Sequence, residues 1–286
     1  MTDRMGRFVD RGLRAHAILL FLFLYVPIGL VVLFSFNAGE RTGELRGLSV
    51  RWYGAAIDNR FAVGALQNSL IVATWTALIA TTLGTVAGLA LQRASARVRT
   101  LFEALTYVAI IIPGIVIGIA TLLFFVNFFA WLNPWVAFAS TLLGADRAPI
   151  IGSGLHTIIG AHVLFTMAIV IVLVRARLAG MDRTLVDASA DLYATPLRTL
   201  RQITLPQLRP AIIAGGLLAF TFSFDDFVIA SLVSGPGQPT LPMYVFASIR
   251  RGITPEINAI ATIILGTTMT ILAIAWIVYR RQARTA

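Results

Sequence analysis

Two adjacent carboxylates interrupt the apolar run TFSFDDFVIASLVSGPG at residues 221–237. An ionised carboxylate is costly to bury unless it is paired or hydrogen-bonded. Asp225 and Asp226 therefore mark a place where a cation, a proton or a set of freed backbone donors can be met. Little else in the chain has the chemistry of a site. There is no cysteine, which removes disulfides, thiolate metal sites and cysteine nucleophiles together. The three histidines are His16, His156 and His162, and a spacing of six sets the last two off any one helical face. Each reads as hydrogen-bonded structure rather than as a metal ligand. No HExxH, GxSxG or GxxxxGK[ST] pattern occurs, so no catalytic constellation, no metal site and no nucleotide-binding loop is expected. Glu103, near a helix end, reads as solvated.

The elements that must hold the aspartates are apolar. Hydrophobic residues make up 58% of the 286 residues and charged ones only 13%, about half the usual share for a soluble domain. The chain therefore reads as an integral membrane protein. Six stretches of spanning length follow, at 17–36, 66–91, 101–131, 155–174, 211–233 and 257–279, each close to or above the roughly 20 residues a span needs. The third is too long for one straight crossing, and Pro113 with Gly114 is expected to kink or break it. In the second, Gly84 and Gly88 lie four apart on one face, where a neighbouring helix can approach closely. The first follows a basic segment but is long for a signal peptide, and no small-residue cleavage site comes after it. It reads as a retained span.

Every one of the 23 basic residues is arginine, and their distribution sets an orientation. Sixteen fall before the first span, at Arg93, Arg97 and Arg99, between the fourth and fifth spans (Arg183 among them), and at the C-terminus; seven fall in the alternate loops. The positive-inside rule then puts both termini in the cytoplasm, which requires an even number of spans. The outer loops become 37–65, 132–154 and 234–256. In the last, LPMYVFASIRRG carries apolar residues three apart and reads as a short amphipathic helix at the outer interface.

The cytoplasmic connection RARLAGMDRTLVDASADLYATPLRTLRQITLPQLRPAI at residues 175–212 has helical periodicity in two runs, Leu185, Ala188, Leu192 and then Leu197, Leu200, Ile203. Two short helices meeting near residues 194–196 are predicted, with Thr195 as N-cap and Pro196 in the first turn. Leu205-Pro206 is expected to end the second helix, and Pro210 to open the next span. Such a hairpin could dock into a partner or pack on its own spans.

This hairpin resembles the EAA loop of binding-protein-dependent ABC importer permeases. Asp187, Ala188 and Ser189 stand at the Glu-Ala-Ala positions, Tyr193 at the glycine, Ile203 at the isoleucine, and Leu205 with Pro206 at the Leu-Pro. The spacing agrees at every step. Tyr193 departs from the pattern, since tyrosine takes positive φ only at a cost; either the turn stays in ordinary backbone conformations or the hairpin geometry differs. The stretch entered by Asn68-Ser69-Leu70 resembles the second span of that family, and the segment from Ser223 to Leu265 is similar to its spermidine/putrescine branch.

The resemblance implies an all-α polytopic membrane protein of the MetI-like permease fold, with six transmembrane helices and cytoplasmic coupling helices. Residues 1–16 would be a cytoplasmic tail, 17–65 the first span and outer loop, 66–280 the permease core with its coupling loop at 182–210, and 281–286 a second tail. It implies a permease subunit in a bacterial inner membrane that carries a small cationic solute, a polyamine such as putrescine or spermidine, or alternatively an opine or another amine. It also implies a separate ATPase dimer using ATP and magnesium, a second, related permease chain and a periplasmic binding protein. This chain itself would bind no cofactor. Leu192, Ala194 and Pro196 join the motif residues as expected ATPase contacts. Phe222, Phe224, Asp225 and Asp226 are the candidate pathway. A secondary cation-coupled carrier is the rival class, and it leaves the loop unexplained. On a continuous helix neighbouring residues point about 100° apart, so only one aspartate would face a shared cavity and the other would cap or pair within the protein.

Overall fold

The computed structural model describes residues 2–144, 147–182, 184–252 and 254–285, and Arg183 lies outside them. In chain order the helices are α1 Thr2–Ser35, α2 Arg51–Asp58, α3 Arg60–Arg93, α4 Ala96–Ile111, α5 Gly114–Leu142, α6 Leu155–Ala179, α7 Thr184–Asp191, α8 Pro196–Thr199, α9 Leu205–Asp225, α10 Val228–Val233, α11 Leu241–Arg251 and α12 Pro255–Thr285. Among the described residues, five are long and apolar enough to cross a membrane: Asp10–Ser35 of α1, α3, α5, α6 and the run Pro196–Asp225. The protein is all-helical over these residues apart from one isolated bridge between Asn37 and Leu48. α1 begins well before residue 17 and α12 continues past residue 280, so the expected tails at 1–16 and 281–286 are largely helical continuations of their neighbours.

The chain divides into two compact units, residues 1–63 with 245–286, and residues 64–244. In the first, α1 and α2 pack on α12. Its loop is held by buried Asn37, whose amide nitrogen donates to Arg41 O and Glu44 O while its oxygen accepts from the N–H groups of Gly39 and Arg46. One side chain thus satisfies four backbone groups that no helix or sheet could pair. The Trp52 indole donates to Asn37 O at 2.8 Å.

The second unit is built around α6, the most buried of the spanning helices. The N-terminal half of α6 packs Ile158 and Ala161 against Val72, Ile117 and α10; its C-terminal half packs Val170 and Val174 against Ala80, Leu208 and Ala219. The glycine pair on α3 has the predicted use. A Cβ at Gly84 would lie 2.7 Å from Val170 Cβ, and one at Gly88 would lie 2.9 Å from Val174 Cγ1. Lipid is as apolar as the core, so close van der Waals packing of this kind holds spans together. Glu103 on α4 is not simply solvated as expected: it forms an ion pair with Arg175 on α6, both partly exposed.

Two breaks and one continuity shape this unit. The expected third span is cut at Ile112–Pro113, since proline lacks an N–H for the helix ladder, and α5 then continues to Leu142. The second outer loop is accordingly shorter than 132–154. The expected fifth span at 211–233 is also broken, between Asp225 and Val228. Leu205-Pro206, by contrast, does not end the second hairpin helix. α8, a π turn at Leu200–Thr204 and α9 form one helical run. In that turn the Leu205 N–H bonds to Leu200 O, five residues back. The widened turn accommodates the Pro206 ring, which would otherwise meet the carbonyl of Gln202. Pro210 lies inside α9 and does not open it.

Candidate functional site

Asp225 is the last residue of α9, and Asp226 leaves the helix with φ −71° and ψ 125°. Aspartate competes with the backbone as a hydrogen-bond acceptor and so favours helix ends. Here Asp226 Oδ1 accepts the Ala230 N–H at 2.9 Å, capping α10. Close packing seats α10 on α5, where a Cβ at Gly118 would come within 2.5 Å of Leu232 Cδ1. At its far end Val233 O receives the Thr157 hydroxyl of α6 at 2.6 Å.

The break places both aspartates on one cavity of about 480 Å³. The expectation that only one could face it assumed an unbroken helix, and the turn to extended backbone at Asp226 removes that constraint. α4 contributes Ala109 and Ile110 to the walls, α5 Ile117, α6 Phe165 and Ile169, and α9 Thr221 and Phe222. Its polar side chains are Thr221, Asp225 and Asp226, gathered at the break, and the rest of the lining is apolar. Phe222 is half exposed. Phe224 is not among the lining residues; it stacks on Phe220 at 5.8 Å. Carboxylates beside an aromatic face in a low-dielectric cavity suit an organic cation with apolar segments.

The two carboxylates are held differently. Asp225 is exposed, whereas Asp226 lies 3.2 Å, through Oδ1, from Nε2 of His162, a fully buried residue of α6. His162 Nδ1 lies 2.8 Å from Ser223 Oγ. Sequence reasoning treated His162 as structural and passed over Ser223. The partners are 61 and 64 residues away along the chain, and no local spacing carries such a pairing.

The hairpin at residues 182–206 is the second feature. α7 ends in a Schellman motif: Tyr193 N–H bonds to Ala190 O at 2.9 Å and Ala194 N–H to Ser189 O at 3.0 Å. The residue between α7 and the return chain must be left-handed in this motif, and Tyr193 has φ +57°. The tyrosine therefore adopts a backbone conformation that suits glycine, with its side chain 96% exposed. Thr195 caps α8 by accepting the Arg198 N–H, with Pro196 in the first turn, as the sequence predicts. Ser189 is buried; its hydroxyl donates to Val186 O at 2.7 Å, so the 2.9 Å contact with Thr199 is donated by the Thr199 hydroxyl. That contact ties the two helices. Asp187 and Ala188 are exposed on α7. Leu192, Tyr193 and Leu197 are exposed at the tip, while Ala194, Ile203 and Leu205 are partly buried and Pro206 exposed.

Asn68 and Ser69 also have structural duties: Asn68 Nδ2 donates to Pro239 O at 3.0 Å, and Ser69 Oγ accepts the Leu241 N–H at 2.8 Å at the start of α11. The helix expected in LPMYVFASIRRG is α11. Among the described residues no group of three His, Asp or Glu could hold a metal ion.

Known proteins are similar to this chain in sequence and in fold. It is 42% identical over 265 residues to the putrescine transport system permease protein PotI of Escherichia coli (strain K12), covering 92% of this chain and 89% of that one. It is 31% identical over 265 residues to the spermidine/putrescine transport system permease protein PotC of the same organism, covering 93% and 92%. Among solved structures, a bacterial ABC transporter involved in the import of the acidic polysaccharide alginate superposes with a TM-score of 0.71 at 16% identity, over 97% of this chain and 99% of that one. The inward-facing MetNI methionine ABC transporter gives 0.55 at 15% identity, over 75% and 92%. Those likenesses establish the ABC importer permease fold. The family model for the binding-protein-dependent transport system inner membrane component matches residues 80–285. With most of its length matched, the chain belongs to that family: it is an inner-membrane permease component and not an enzyme.

Proposed function

We propose that this chain forms part of the translocation pathway of an ATP-driven importer for a polyamine such as putrescine or spermidine. The observation that supports this reading best is the pair of carboxylates beside Phe222 at the helix break, in a chain 42% identical to a putrescine permease. A diamine has two ammonium ends and an apolar middle, and the cavity has acidic and apolar walls to match. α12 is the sixth span, both termini are cytoplasmic, and the hairpin at residues 182–206 faces the cytoplasm. Its apolar tip at Leu192, Tyr193 and Leu197 meets a separate ATPase dimer, which closes on ATP and pushes the hairpin. Ser189 acts inside the hairpin, keeping it stiff enough to transmit that movement. A second, related permease chain completes the pathway, and a periplasmic binding protein delivers the solute to the outer loops.

The test is uptake by the full importer in proteoliposomes with ATP inside. Radiolabelled putrescine and spermidine should accumulate, and Asp225→Asn should reduce accumulation about tenfold or more at equal protein level, since a lost hydrogen bond to a charged group costs about 1.5–3 kcal/mol. Accumulation driven by an ion gradient without ATP would overturn the reading. So would uptake of an opine or another amine to the exclusion of both polyamines.

A further inference from the structure

His162 is fully buried in the N-terminal half of α6, at the contact of that helix with the α9–α10 break. Its two nitrogens have different partners. An ionised carboxylate only accepts, so at Asp226 Oδ1 the Nε2 must donate; Nδ1 of a neutral ring is then the acceptor, and the Ser223 hydroxyl donates to it. Asp226 Oδ1 also takes the Ala230 N–H. Both donors fall on the same oxygen, which leaves Oδ2 for the cavity that Asp226 lines. The next turn of α6 adds Phe165, edge-to-face on the imidazole at 5.9 Å and itself part of the cavity wall.

We propose that His162 is a specificity-determining positioning residue: held by Ser223, it fixes the Asp226 carboxylate with one oxygen bound to the protein and the other presented to a cationic solute. The inference rests on the cavity being the solute pathway.

The experiment uses the complete importer in proteoliposomes, with putrescine and spermidine as probes, and reads KM and kcat of uptake. His162→Phe fills the space without a donor, and KM should rise roughly tenfold (about 1.4 kcal/mol) with kcat little changed. His162→Gln keeps a donor and should retain the wild-type KM. Ser223→Ala should raise KM in the same direction by a smaller factor. Thermal midpoints in detergent identify any variant that fails to fold, and if His162→Phe is one, the KM of Ser223→Ala against that of His162→Gln decides. An unchanged KM in a folded His162→Phe importer, or a KM in folded His162→Gln raised as far as that of His162→Phe, overturns the inference while leaving the polyamine reading intact. Absence of polyamine uptake by the wild type overturns that reading, and the inference with it.

Discussion

Tyr193 holds φ at +57° with its ring almost wholly in the open. A non-glycine residue in this region costs roughly 1–2 kcal/mol, and an exposed ring recovers little of that by packing. Tyr193→Gly should therefore tighten the hairpin, slowing amide exchange at Ala194 about fivefold, the equivalent of about 1 kcal/mol. Faster exchange would mean that the tyrosine stabilises the turn by some contact of its own. Asp182 caps the same hairpin at its other end. Its oxygen accepts the Thr184 N–H at 2.9 Å, and this bond, followed by one from the Thr184 hydroxyl, holds the carboxyl below its ordinary value of 3.8. Because the folded value is the lower one, the cap is intact at neutral pH and is lost as pH falls through it. Exchange at Thr184 should accelerate only in strongly acidic solution, below about pH 4. Asp182→Asn should remove that acid dependence while keeping a cap.

At the scale of elements, the α3–α6 contact depends on glycine. Gly84→Ala would drive a methyl to 2.7 Å from Val170 Cβ, and overpacking of a close contact costs roughly 1–3 kcal/mol. A lower thermal midpoint in detergent is expected. Val170→Ala should recover part of the loss in a double-mutant cycle, because the two residues share one contact. Additive losses would show that α3 shifts away instead. The π turn ahead of Pro206 joins the hairpin to α9 in one run. The hairpin's second helix is thus continuous with the helix that ends at the Asp225–Asp226 break.

For the whole molecule the proposed function requires that movement at the hairpin reach the cavity. Replacing Leu192 and Ala194 with arginine places charge on and beside the exposed apolar tip without touching the spans. Solute-stimulated ATP hydrolysis in the assembled importer should be abolished, with membrane insertion and thermal midpoint unchanged. Undiminished hydrolysis would place the ATPase contact elsewhere. The two ends of this pathway lie in the same compact unit, residues 64–244, which is built on α6.

Much of this was legible in the residues themselves. Apolar stretches of spanning length, the break at Pro113, the caps at Thr195 and Pro196, and the glycine pair on α3 follow from local rules: helix period, missing proline N–H groups and side-chain volume. The two short helices of the hairpin were readable by spacing because their residues are consecutive. Three features were decided only when the helices packed. Pro206 was expected to end a helix, but a π turn relieves its ring clash, and the choice between these outcomes is not written in the proline itself. Tyr193 takes a left-handed conformation because Ser189 and Ala190 offer the carbonyls that close a Schellman motif. The two charges in the oily run divide in the same way. Their composition alone showed that they need partners. That Asp226 finds His162, while Asp225 stays open on the same cavity, depends on residues brought together across 64 positions of chain, and contact over that distance exists only in the folded state.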